Sequence, residues 1–417
     1  MSNVLLSRGV DSNSLLRPAV RDSKLRFFAL EAVNALGAAF YFSYLFFYLR
    51  QEFHLSTQGS LAVASMHGFI YMVMSRWAGQ IAQRRGYLAT FRLGCVIAAM
   101  SLLAGSAFRH SWTGQMLTLL GWTIGICLTW PPLQALVTDR ETPAQTAWLV
   151  GVYNLVWSGF AGLANFFGGA VYEIFGSGGL FWWPASLSIA MALAASWFLR
   201  TTGKERQEDA QSETSIAHES TRELNQRFLS LARIANPFAY VAINTVVPMI
   251  PEIARELHLS PTESGWVNSV WFFARWGMFA LLWRWIGWHY RMRWMLAAYA
   301  GLIAGFLILI LAPEIWVLAA GQVLFGVSVG LIYCSSLFYS MDAGNDKGCH
   351  GGLHESAIGL GTCIGPALSA GAMMVFPQAH HQAAWAVGAL LIVGLVVIVR
   401  LGASRAEAAS QSLGRKL

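Results

Sequence analysis

Apolar runs of about 20 residues recur along this chain, separated by short polar breaks. Coiled as a helix, such a run crosses a hydrocarbon core of ~30 Å. Spanning strands would alternate polar and apolar side chains, and these runs do not. The pattern predicts twelve helical spans, near 26–49, 58–80, 89–108, 114–138, 147–172, 180–199, 228–250, 262–283, 293–312, 316–338, 351–376 and 382–401. Six precede the polar stretch 200–227 and six follow it. That stretch, with Lys204-Glu205-Arg206-Gln207-Glu208-Asp209 near its start, reads as a flexible or partly helical connector. The predicted organisation is a tail at 1–25, a bundle at 26–199, the loop at 200–227, a second bundle at 228–401 and a tail at 402–417.

The two bundles are related. Glu52-Phe53-His54-Leu55-Ser56 returns as Glu256-Leu257-His258-Leu259-Ser260. Gly121 and Gly125 return as Gly326 and Gly330, and Gly151-Val152-Tyr153-Asn154 is echoed by Gly352-Leu353-His354-Glu355. The offsets nearly agree, which is the mark of a duplicated unit. Duplicated membrane halves most often build a transporter with its site at the joint.

Composition sharpens this. Hydrophobic residues make up 56% of the 417 and charged residues 12%, too little charge for the surface of a soluble protein of this size. Lys and Arg crowd one side of the predicted topology; only Arg50, Arg109 and Arg255 fall on the other, with Arg275 inside a span. That bias predicts an integral membrane protein with both termini cytoplasmic, in the bacterial inner (plasma) membrane. The net charge of +7 then reflects topology and contact with membrane lipids, not nucleic acid. The basic, polar first 25 residues lack the pattern of a cleaved signal peptide. The spacing of the five cysteines suggests neither a disulfide nor a zinc site, and no cofactor or metal is expected.

Local motifs point to a family. The loop after the second span reads Gly79-Gln80-Ile81-Ala82-Gln83-Arg84-Arg85-Gly86-Tyr87-Leu88. With the two six-span halves and the long central loop, it resembles the major facilitator superfamily, whose loop here is Gly-x-Leu-Ala-Asp-Arg-x-Gly-Arg-Arg. Gly79, Arg84 and Gly86 match; Gln83 replaces the acid of the family's conformational latch. The span 4 arginine motif has become Leu117-Thr118-Leu119-Leu120-Gly121. The Gly-Pro antiporter motif of span 5 is degraded to Leu163-Ala164-Asn165 with Gly168-Gly169, while Gly361, Gly365-Pro366 and Gly371 make a better match in span 11. The resemblance implies an all-α major facilitator fold of two pseudo-symmetric six-helix bundles. It also implies a monomeric secondary transporter working by alternating access.

Polar residues inside the spans must face protein or a wet cavity, since lipid offers them no partner. They line up at helical spacing on spans 1, 2, 4, 5, 7, 8, 10 and 11, and hardly at all on spans 3, 6, 9 and 12. The superfamily resemblance implies the same division between cavity-lining and outer helices. Arg275 lies at mid-depth in span 8, where a charge costs about 2.5–3.5 kcal/mol even on insertion scales. Either an acid, Glu31 or Glu355, pairs with it as a structural ion pair, or it holds an anionic cargo. Asn34, Tyr41, Asn154, Asn244 and Asn268 are candidate hydrogen-bonding contacts, with Trp130 and Trp271 as stacking walls. Glu31, Glu355 and His354 are candidates for carrying a coupling proton; Glu31, the deeper of the two acids in its span, is preferred.

Two transport readings follow. In the first, the chain moves a small organic solute, with an anion favoured by Arg275, coupled to protons or sodium. In the second it exports drugs, a reading disfavoured by the positive charge in span 8 and the missing span 5 Gly-Pro motif. An enzyme or sensor is the third class. No HExxH, phosphate loop or nucleophile with a base at useful spacing supports catalysis, so an enzyme is not expected.

Overall fold

The computed structural model describes residues 18–139, 141–202, 219–341 and 346–414. Most of the expected tail 1–25, and the middle of the expected loop 200–227, lie outside the described residues. The described residues form α-helices α1 (Pro18–Phe53), α2 (Thr57–Arg85), α3 (Tyr87–Ala107), α4 (Trp112–Cys127), α5 (Trp130–Thr138) and α6 (Pro143–Thr202). The second half runs through α7 (Glu219–Val246), α8 (Ile250–Glu256), α9 (Pro261–Arg284), α10 (Met292–Leu311), α11 (Ile315–Met341), α12 (Lys347–Val375) and α13 (Gln382–Gly414). No strand occurs among the described residues. The twelve expected spans are all present as helix, because in hydrocarbon a backbone can satisfy its own polar groups only within a helix or a closed barrel.

The helices depart from the expected boundaries where local chemistry dictates. The fourth span is two helices: α4 stops at Cys127, and α5 restarts with Pro131 and Pro132 in its first turn, where their missing N–H groups cost nothing. The seventh is likewise divided, α7 giving way to a 3-10 turn at Val247–Met249 and then α8. Spans 5 and 6 join as α6, which folds at Gly176 in a left-handed conformation (φ 60°) that glycine adopts without strain. Helix also extends beyond the expected bundle limits at Pro18, Glu219 and Gly414.

The repeated His-Leu-Ser string has a local explanation. His54 (φ 51°) and His258 (φ 54°) take left-handed backbone just after α1 and α8. Two residues later, Ser56 and Ser260 cap the next helix, accepting from the N–H of Gly59 and Glu263. Ser260 adds a capping box, with the Glu263 carboxylate returning to its own N–H. The repeat is thus a stop-and-restart signal written once in each half.

The halves, α1–α6 and α7–α13, meet along two seams. In one, α2 lies against α12; in the other, α6 lies against α9. Glycines permit the approach. A Cβ at Gly68 would lie 2.3 Å from the backbone of Thr362, one at Gly359 would lie 2.3 Å from the amide of Met72, and one at Gly169 would lie 2.2 Å from the carbonyl of Pro261. Small residues are how membrane helices gain close packing when lipid is as apolar as leucine. At the face holding the start of α7 and the end of α13, Arg227 donates to the Gly402 carbonyl at 3.0 Å. We call this the terminal face.

Gly68→Ala is expected to destabilise the purified protein by about 1–3 kcal/mol through overpacking. Gly277→Ala, whose new Cβ meets nothing within 4 Å, should change little. Thermal unfolding of both variants checks the pair.

Candidate functional site

Between the halves lies a cavity of about 170 Å³. By volume it holds on the order of ten waters or a small organic molecule. Its wall comes from α1, α2, α4, α5, the first part of α6, α7, α9, α11 and α12. These correspond to the eight spans whose polar stripes the sequence displayed. α3, the second part of α6, α10 and α13 contribute nothing to it.

Arg275 forms part of this wall and is 2% exposed. Its guanidinium carbon sits 4.4 Å from the ring centre of Trp157, 4.6 Å from that of Trp271 and 5.0 Å from that of Phe272. The ring quadrupoles supply part of what hydration no longer does, by about 2 kcal/mol when such a contact is dry. The alternative of a structural ion pair is not what the geometry shows. Among the described residues neither Glu31 nor Glu355 bonds to Arg275, and its Nε has no hydrogen-bond partner.

The two indoles are themselves held. Asn154 accepts from Trp157 Nε1 at 3.1 Å, and Asn268 accepts from Trp271 Nε1 at 3.2 Å. Both pairs are spaced i, i+3, one turn of helix. Asn154 is fixed in turn by its contact with Cys334 Sγ (3.6 Å), and Asn268 by donating to Asn165 Oδ1 (2.9 Å). An Asn-x-x-Trp unit from each half therefore presents an indole to one guanidinium, across the α6–α9 seam.

Both acids are buried. Glu355, on α12 in the second half, lines the cavity and is held by the first half: Tyr71 donates to Oε2 at 2.7 Å and Gln134 Nε2 donates to Oε1. Glu31 is fully buried behind Trp130, which lines the cavity and donates its indole N–H to Oε1 at 3.0 Å. Among the described residues the second oxygen of Glu31 has no hydrogen-bond partner. His354 is 1% exposed and stands behind Tyr333, ring to ring at 5.2 Å, with Nδ1 3.1 Å from Ser336 Oγ.

Of the residues expected to contact cargo, Arg275, Trp130, Asn244 and Trp271 face the cavity. Asn154 and Asn268 are one layer behind it, each anchoring an indole. Asn34 borders a separate recess of about 10 Å³ beside Thr129 and Ser188, and Tyr41 is fully buried against Trp122 at 4.6 Å. Of the expected proton carriers, only Glu355 faces the cavity; Glu31, preferred for its depth in the span, lies behind the Trp130 indole. Sequence reasoning passed over Phe42, Phe272 and Tyr333 as cavity wall, because an aromatic residue in a span looks the same whether it faces lipid or cavity. Trp157, deep on a polar face of its span as Trp130 and Trp271 are, joins the wall.

Contacts cross between the halves on both sides of the cavity. On the terminal face Gln83, standing where the resemblance places an acid, accepts from the Gly348 amide at 3.3 Å and from Tyr87 at 2.7 Å. Gly79 packs against Gly348 and Gly352, Gly86 (φ 93°) turns α2 into α3, and Arg84 is exposed. On the opposite face Arg50 pairs with Glu252, and Glu173 accepts from the Thr262 amide (3.0 Å) and hydroxyl (2.7 Å). No group of three or more His, Cys, Asp or Glu suited to a metal occurs among the described residues.

The profile of the Major Facilitator Superfamily matches the chain twice, over residues 27–241 and 229–416. The chain belongs to this superfamily. It is an integral membrane protein and a membrane transporter, and the two matches coincide with the duplicated halves. Among solved structures, the human organic anion transporter MFSD10 (TETRAN) is similar, with TM-score 0.69, 14% identity and coverage of 92% of this chain and 100% of that one. The POT family transporter PepTSo gives TM-score 0.68 at 14% identity, covering 92% and 98%, and the nucleoside transporter NupG gives 0.65 at 13%, covering 91% and 99%. These likenesses show the fold. No curated protein sequence matches the chain.

If the asparagines serve to hold the indoles, Asn154→Ala and Asn268→Ala each leave a buried indole N–H unpaired. Each should then cost about 1–3 kcal/mol. His110→Ala, at an exposed site, should stay within about 0.5 kcal/mol. Equilibrium unfolding in detergent compares the three.

Proposed function

We propose that this superfamily member is a secondary transporter that carries a small organic anion by alternating access, coupled to protons. Arg275 is the anion contact. The observation that carries the reading is its guanidinium, buried at mid-depth in the cavity wall and stacked on rings, with no carboxylate pairing it among the described residues. A buried charge without a counter-ion is costly, and an entering anion relieves that cost. The human neighbour is named an organic anion transporter, which is consistent with this assignment.

Glu355 is the proton-coupling group. It lines the same cavity as Arg275, so cargo and proton can sense one another. Its two hydrogen bonds come from the opposite half, so its charge bears on how the halves fit. Glu31, one indole away through Trp130, is the second acid of the pathway, and His354 lies behind Tyr333 as a reserve relay. The halves rock about the cavity, breaking the Arg50–Glu252 contacts on one face and the Gln83–Gly348 contacts on the other in turn. The asymmetry of Lys and Arg supports cytoplasmic termini, in this reading those of a monomer in a bacterial inner membrane. Export of lipophilic cations is the weaker reading, since the positive charge of Arg275 in the wall repels them.

Proteoliposomes enclosing a pH-sensitive dye, given a panel of small monocarboxylates and phosphate monoesters, test this. The wild type should move an anion together with protons. Arg275→Gln should lower uptake by about 30-fold or more, as loss of a buried charge contact does. Glu355→Gln should retain exchange but lose accumulation driven by the pH gradient. Transport confined to neutral or cationic solutes, or unaltered in Arg275→Gln, would remove the anion assignment.

A further inference from the structure

We infer that the cargo is an aromatic acid: a flat ring system bearing one anionic group. This rests on the anion reading above and adds the class of solute. What points to it is where the hydrogen bonds of the wall go. Trp130, Trp157 and Trp271 all line the cavity, yet each indole N–H is turned to a residue behind the wall: Glu31, Asn154 and Asn268 respectively. Tyr71 gives its hydroxyl proton to Glu355, His67 has Nδ1 at 2.8 Å from Thr123 Oγ1, and Asn244 donates to Thr362 Oγ1 at 3.0 Å. What the three indoles and Tyr71 offer the cavity is ring surface. The three indole N–H groups, the Tyr71 hydroxyl and the Asn244 amide nitrogen are already occupied.

Against this background Arg275 stands apart. Ring faces pack against its guanidinium, and no N–H of it reaches an acceptor among the described residues. A stacked guanidinium presents its N–H groups in its own plane, the geometry that takes a carboxylate or similar anion as a fork. The wall thus pairs one in-plane anion contact with ring faces from both halves, Trp157 from one and Trp271 and Tyr333 from the other.

That combination discriminates. A sugar, nucleoside or peptide carries many hydroxyl or amide groups, each of which must find a partner once desolvated. This wall is mostly rings and aliphatic side chains, and beyond Arg275 and Glu355 its uncommitted hydroxyls are those of Ser43, Tyr240 and Tyr333. A saturated acid satisfies Arg275 but gains less from ring faces than a flat π-system, which stacks in offset or edge-on contact. The cavity volume of about 170 Å³ suits a solute of one or two fused rings.

The full chain, purified into lipid nanodiscs, is titrated calorimetrically with naphthoate, decahydronaphthoate, naphthamide and glucuronate. Naphthoate should bind at least about tenfold more tightly than the other three. Arg275→Gln should abolish naphthoate binding, and Arg275→Lys, which keeps the charge but not the flat fork, should retain a weakened form of it. Should Arg275→Gln fail to fold, Arg275→Lys and the naphthamide comparison still decide the charge contact. Equal binding of decahydronaphthoate or glucuronate overturns the aromatic class while leaving the anion reading intact. Naphthamide binding as tightly as naphthoate overturns the anion reading itself, and this inference with it. Absence of naphthoate binding to the wild type overturns the aromatic class.

Discussion

A guanidinium at mid-depth, held by two indoles that are each tied down by an asparagine, is the arrangement on which the site depends. Arginine in hydrocarbon is tolerated only with compensation. Here the compensation is aromatic and comes from both halves: Trp157 on α6 and Trp271 on α9. Because the Asn-x-x-Trp unit sits on each side of the α6–α9 seam, the charge can be held in this way only when the halves are together. Packing, charge and cavity are therefore one device.

The glycine seams make that device possible. α2 and α12, like α6 and α9, approach until backbone meets backbone, as at Gly359 on Met72 and Gly169 on Pro261. Such closeness brings Tyr71 and Gln134 of the first half within hydrogen-bonding reach of Glu355 in the second. Bulkier seams would move the acid away from its donors and open the wall. The polar contacts at both faces, Arg50 with Glu252 on one and Gln83 with Gly348 on the other, are fewer and lie nearer the membrane surfaces. Under the proposed alternating access, these are the contacts that would exchange.

Gln83, standing where the family's loop carries an acid, shows how a contact between the halves can persist without the charge. The amide oxygen still accepts from the first turn of α12, so the loop after α2 still touches the other half. What it lacks is charge: the exposed Gln83 side chain offers a neutral hydrogen bond in place of an ion pair.

Much of the architecture was legible in the chain itself. The apolar runs set the number of spans, since hydrocarbon thickness dictates their length. The duplicated Glu-x-His-Leu-Ser string marked the two halves, and the polar stripes separated eight wall helices from four outer ones. Helical periodicity assigns a residue to a face. It does not say whether a side chain on that face reaches the cavity or stops one layer behind it. Asn154, Asn268 and Glu31 share faces with true wall residues yet spend their polar atoms on neighbouring indoles, because those indoles are longer and arrive at the cavity first. That Trp157 and Trp271 meet on Arg275, and that Glu355 rather than Glu31 borders the cavity, was decided by helices distant in sequence packing together. Spacing along one helix carries no record of what another helix brings to it.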